Sequence, residues 1–505
     1  MRAAAKRAAA ALAACVLLLT GCGGEPASSA AAAVPAPEPT PAPAVVEDGV
    51  LTLGHIASTG YNPYRYDSTL VAHTGGLLFE KLVEITPEMD VEYRLAEAIH
   101  IAGEVVTIHL RGGCVFADGT PITAEDVRAS LLAAKASPLY GGQLGELLDV
   151  KVDGSSLTLT LSRPDCLFAY LCDLPVLKAA EVALDQPTAS GRYTYGEGDT
   201  LVKNTRAPFP QEGPDLIRLA DVSSYEEMVS GLAVGTLNLY AAVDGETSSA
   251  GYYGQESYYR TNNLVFLGVN AARDNPLLNT PAARAMLSQL LDRRQLADES
   301  YYGRAYPATG AINSFYPCVN SQQVIHARQD AEGAAALFGS MGYAIDPQSG
   351  YYADAEGRRL EASLLVYTGS TYKKYAASLI RQQLAAQGVQ ITLQEIDNFE
   401  TYTQLIAAGE FDLYIGEVKL YNNMDMTPFF AGTLCPGTAV SEALTAAYEA
   451  FRANKGAAGA FEAAFAAEMP YVPLLWRSGT VVAARSVSGV TSSLSNLFFS
   501  LSALA

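Results

Sequence analysis

The stretch from Leu360 to Leu413 constrains the fold of this chain most. It reads as strand 362–367, helix 372–387 stopped by Gly388, strand 389–395, helix 399–408 and strand 411–415. A strand–helix–strand series of this kind predicts a parallel sheet with helices on its faces, so the fold class is α/β. Val105-Val106-Thr107-Ile108-His109-Leu110 and Leu157-Thr158-Leu159-Thr160-Leu161 alternate with period two and are further strands. Thr123 is placed to cap a helix, with Asp126 completing a capping box and Val127, Leu131 and Ala134 on one face. Thr280-Pro281 opens another helix, expected to run past Leu291.

Residues 1–22 read as an export signal, with a basic start (Arg2, Lys6, Arg7), an apolar core from Ala8 to Leu19, and then Leu19-Thr20-Gly21-Cys22. The last four residues resemble a bacterial lipobox, which implies that Cys22 becomes a lipidated N-terminus. Such an anchor holds a protein at the outer face of the cell membrane without a transmembrane helix. Residues 23–47, rich in Pro and Ala, have no apolar periodicity and are expected to form a disordered tether, extended at about 3.1 Å per residue. About 455 residues follow, enough for two or three domains.

Removing the signal takes away three of the 33 basic residues and none of the 53 acidic ones, leaving a net charge of −23. That surface repels nucleic acid and anionic lipid. Beyond Cys22 the chain has Cys114, Cys166, Cys172, Cys318 and Cys435, without zinc spacing. Cys166 and Cys172 can pair across a short loop or remain separate thiols.

Enzyme signatures are missing: the sequence has no G-x-S-x-G, H-E-x-x-H, Walker A or dinucleotide fingerprint. Ser370-Thr371-Tyr372-Lys373 spells S-x-x-K but has no K-T-G or S-D-N partner, and reads as a helix start capped by Ser370. The five histidines are scattered, which argues against a metal as direct cargo, and no cofactor or metal site is expected. Tyrosine doublets such as Tyr301-Tyr302 suit a cleft that holds varied side chains and water.

Phe116-Ala117-Asp118-Gly119-Thr120-Pro121-Ile122-Thr123-Ala124-Glu125-Asp126-Val127 closely resembles the signature of the family 5 extracellular solute-binding proteins, the oligopeptide, dipeptide and nickel group. Leu78-Phe79-Glu80-Lys81-Leu82, Leu95-Ala96-Glu97, Leu291-Asp292-Arg293 and Gly409-Glu410-Phe411-Asp412-Leu413 match further motifs in the family's order. The resemblance implies a type II periplasmic-binding-protein-like fold, two lobes joined by crossover strands plus an inserted domain. Lobe I is expected to comprise residues 48–78, 190–264 and 476–505, the inserted domain 79–189, and lobe II 265–475. It also implies a monomeric, non-enzymatic lipoprotein that closes on a solute and delivers it to an ABC permease and its ATPase subunits.

By the same resemblance, Asp67 and Thr69 would line the first-lobe wall, Phe266 and Asn270 the crossover region, and Tyr421, Asn422, Asn423 and Asp425 the far wall. The family's peptide-binding members pair an aspartate of the far wall with the peptide's ammonium group. Asn422 falls at that position, and Asp425 is the nearest carboxylate able to replace it. A peptide is the favoured ligand. A metal chelate, sugar or opine-like compound is the alternative, and a surface lipoprotein in peptide signalling or folding assistance is a third reading.

Overall fold

The computed structural model describes residues 50–242, 253–319, 330–487 and 489–501. Cys22 and the tether lie outside the described residues. Among those described, no helix is long and apolar enough to cross a membrane.

One eleven-stranded sheet runs through the molecule. Its spine is a pair of long antiparallel strands, Gly254–Val269 and Tyr471–Ala484. One end of the pair joins Leu413–Lys419, Glu361–Tyr367 and Gln390–Ile396; the other joins Leu239–Ala242, Val50–His55 and Leu216–Asp221. Each long strand therefore belongs to two lobes, which makes the pair the crossover. Their register shifts between Arg260 and Leu264, where the pair passes from lobe I to lobe II. An irregularity there bends the ladder between the two packed bodies.

The strand–helix series of lobe II has the expected parallel pairing, with Ala362 opposite Ile391 and Leu364 opposite Leu413. Ser370 and Asn398 cap its two helices, Thr371–Ala386 and Phe399–Ala408, by accepting from the N–H groups of Lys373 and Thr401. The second helix stops at Gly409, whose φ of +70° suits glycine. Several boundaries shift by one residue, and the larger differences are in the last strand, which runs Leu413–Lys419, and in the helix from Pro281. The last strand begins at Leu413, because the Asp412 carboxylate turns aside to accept from the Ser363 N–H and hydroxyl. The helix from Pro281 ends at Gln289, short of Leu291, because Asp292 caps a new short helix by accepting from the Gln295 N–H.

Ala96–Ala102, Val105–Leu110, Ser156–Leu161 and Leu147–Asp153 form a separate antiparallel sheet. The capping box at Thr123 and Asp126 is present on the helix Ala124–Ala136. Leu157, Leu159 and Leu161 point into a core shared with Leu51, Leu53 and Ile217 of lobe I. By contrast Ile85, Met89, Leu167 and Tyr170 join the core of lobe II. Cys166 and Cys172 are separate thiols, as are Cys114, Cys318 and Cys435.

The candidate ligand cleft

Strand direction places the functional ends. In lobe II Lys419 lies opposite Asn263 and Leu413 opposite Val269, so the parallel strands end toward the crossover. In lobe I Val50–His55 runs parallel to Leu239–Ala242, whose Ala242 pairs with Thr480 on the side nearer the crossover. Both lobes thus present the carboxyl ends of their strands to the space between them, where open α/β sheets bind ligands.

The lobe II wall holds a compact charged cluster. Glu417, its side chain 3% exposed, is paired with Arg477 at 2.7 Å and Lys373 at 3.1 Å. Burial pushes the Glu417 carboxyl up, but the two cations outweigh it and hold it at about 2. The Arg477 guanidinium lies over the rings of Tyr301 and Tyr372. Arg304 pairs with Glu256 at 3.0 Å and donates to the Tyr372 hydroxyl, tying the lobe I half of a crossover strand to lobe II.

Beside it lies an amide network. The Asn262 amide donates to the Tyr316 hydroxyl at 2.7 Å, that hydroxyl donates to the Asn422 carbonyl at 2.7 Å, and the Asn313 amide donates to Asn262 and to the Thr261 carbonyl. A third group clasps the inserted domain onto the loop after strand Leu413–Lys419. Arg163 pairs with Asp425 at 2.9 Å and donates to Thr427, while Asp165 accepts from Asn423 at 2.7 Å and lies 3.4 Å from buried Arg452. Tyr170 packs on Tyr316, ring centroids 4.8 Å apart.

The structure sorts the expected site residues. Asp67 and Thr69 flank Ser68, the cap of helix Thr69–Leu78, and both are exposed. His73 follows on that helix; burial lowers its imidazole to about 3, with the ammonium groups of Lys419 and Lys81 adding to the effect. Tyr421 is 37% exposed with its hydroxyl against Gly142 of the inserted domain, and Asn422 is half-buried in the amide network.

Four of the expected residues already have protein partners. Phe266 is 2% exposed inside the lobe II core, edge-on to Phe429, Tyr414 and Tyr471, because the crossover strand is buried on both faces there. Asn270 uses its amide on the Gly409 and Phe411 carbonyls and shapes that turn. Asp425 is already satisfied by Arg163, the Thr427 N–H and the Tyr448 hydroxyl, and is not an unmatched acceptor for a ligand ammonium. Asn423 likewise is spent on Asp165.

Sequence reasoning missed Glu417, Lys373, Arg477, Arg163 and Asp165. The one local signal was a charge, Glu417, directly after the apolar run Leu413-Tyr414-Ile415-Gly416. In lobe I a cavity of about 240 Å³ opens among Thr59, Tyr61, Gln186, Tyr195, Asp199 and His55, the last stacked on Tyr61 at 4.7 Å.

Two lobes strung on a crossover pair, with the carboxyl ends of both sets of strands turned toward the space between them, define the architecture of a solute receptor. Residues 90–439 match the family described as bacterial extracellular solute-binding proteins, family 5 Middle. The chain belongs to this family, whose members are non-enzymatic substrate-binding components of ABC importers. It is 21% identical over 359 residues to the nickel-binding protein NikA of Staphylococcus aureus, covering 66% of this chain and 68% of that protein. Among solved structures, the nickel ABC transporter protein of Bacillus halodurans superposes with a TM-score of 0.72 at 18% identity, covering 89% of this chain and 98% of the other. The oligopeptide-binding protein AppA of Bacillus subtilis, in complex with a nonapeptide, superposes with a TM-score of 0.54 at 16% identity, covering 88% and 96%. At these identities the superpositions establish the fold.

Proposed function

We propose that this protein captures a peptide between its lobes and hands it to an ABC permease, from a position tethered outside the cell membrane through Cys22. The observation that carries the peptide reading is the outer edge of strand Leu413–Lys419. Strand Glu361–Tyr367 pairs with it only at Leu413 and Tyr414. From Ile415 to Lys419 it pairs, among the described residues, only with the crossover strand on its other side. The Ile415 carbonyl accepts from the Tyr402 hydroxyl, and no strand among the described residues pairs with the outer edge from Gly416 onward. An extended peptide adds to such an edge as a strand, gaining affinity from main-chain hydrogen bonds and placing alternate side chains in pockets.

A metal chelate is the second reading, favoured by the likeness to NikA and by His73, whose neutral imidazole keeps a lone pair for a metal. Calorimetry separates the two. Randomised peptide pools of two to nine residues are expected to bind, and at ~100 times the dissociation constant a peptide should raise stability by ~2.7 kcal/mol. Heat from nickel with histidine, and none from any peptide pool, would overturn the peptide reading.

Anchoring has its own test. Cys22→Ala is expected to move the protein from the membrane fraction to the medium, or to leave it unprocessed. Unchanged fractionation and unchanged mass would exclude lipidation at Cys22.

A further inference from the structure

We infer that this receptor holds its ligand by a carboxylate rather than by an ammonium group, with Lys419 as the cation that meets it at the crossover end of strand Leu413–Lys419. The inference rests on the peptide reading above and adds which end of the peptide carries the recognised charge.

The carboxylates of the wall are committed. Glu417 is held by Arg477 and Lys373, Glu256 by Arg304, Asp425 by Arg163, and Asp165 by Asn423 with Arg452. Asn422 contributes only a neutral amide, already within the Tyr316 network. An ammonium brought against these carboxylates would have to displace one of the pairs, leaving a guanidinium or ammonium without its anion in a poorly hydrated place, which is strongly unfavourable.

Cations are in excess. Lys373 and Arg477 share the single carboxylate of Glu417. Lys419 stands two residues further along the strand, on the same face as Glu417 by the period of two, exposed and with no ion-pair partner among the described residues. Lys373 sits in the first turn of the sixteen-residue helix Thr371–Ala386, whose amino end adds a positive partial charge. His73 on the lobe I helix lies within electrostatic reach of Lys419, whose ammonium adds to burial in holding that imidazole neutral. When the lobes close, water leaves and repulsion among Lys419, Lys373 and Arg477 grows. A ligand carboxylate set among them relieves that repulsion, so carboxylate binding and closure favour each other.

A randomised tripeptide pool prepared with free ends, N-acetylated, C-amidated and blocked at both ends tests this by calorimetry. Acetylation is expected to change affinity less than about threefold, and amidation to weaken it ~10- to 100-fold, the range for a hydrogen bond to a charged group. Lys419→Gln should remove most of the difference between acid and amide while leaving the amidated pool unaffected. A tenfold loss on acetylation with none on amidation overturns the inference and leaves the peptide reading standing; Asp67→Asn then asks whether that exposed carboxylate holds the ammonium. Equal weakening of all four pools by Lys419→Gln also overturns it, as a merely structural effect. Binding of none of the four overturns the peptide reading and this inference together.

Discussion

Asp165→Ala is expected to destabilise the protein by roughly 3–5 kcal/mol, the loss that follows when one partner of a buried ion pair is removed. Asp165 and Arg452 are 2% and 1% exposed at their side chains, and the pair joins the inserted domain to lobe II. Burial pushes the Asp165 carboxyl up; Arg452, the Asn423 amide and the Leu167 N–H pull it part of the way back. The three guanidinium nitrogens of Arg452 are buried without a hydrogen bond, and Asp165, 3.4 Å away, is the ion-pair partner that they have among the described residues. Without it the guanidinium is stranded beside a core that holds Leu167 and Tyr170. Urea melts should show the lower midpoint, and Asp165→Ala combined with Arg452→Met should regain part of the loss. A single variant within about 1 kcal/mol of the parent would show that the clasp is not a structural contact.

The second large effect is an acid limb that depends on Glu417. Its carboxyl sits near 2 in the folded protein, against 4.5 for an ordinary glutamate. Because the folded value is the lower one, the stabilisation is complete above about pH 5 and is lost as pH falls through 4.5 toward 2. The difference corresponds to about 3 kcal/mol. Glu417→Gln should therefore lower stability at pH 7 by about that amount and flatten the decline between pH 5 and pH 2. An acid limb of unchanged slope in the variant would mean that other carboxylates carry it. The same substitution leaves Arg477 and Lys373 without their shared anion, and so should strengthen the preference for acidic over amidated peptides.

Much of the fold was legible because its signals are local. The caps at Thr123, Ser370 and Asn398, the glycine stops at 388 and 409, and the period-two strands each depend on residues within a few positions of one another. The site was far less legible. Phe266 was expected in the cleft, but nine consecutive residues from Thr261 to Val269 are buried, so alternation along the strand does not say which face meets the ligand. Asp425 was expected to await an ammonium, but its partner Arg163 is 262 residues away in sequence.

From sequence alone came the α/β class, the parallel series of lobe II and membership of a solute-binding family, because each is written in short-range pattern or in motif order. Only the tertiary structure decided which charges are spent and which remain. Glu417 with Arg477, Glu256 with Arg304, and Asp165 with Arg452 are pairs assembled across strands and lobes. A side chain's charge is readable in the sequence, but whether that charge is available to a ligand depends on the partner that folding brings beside it.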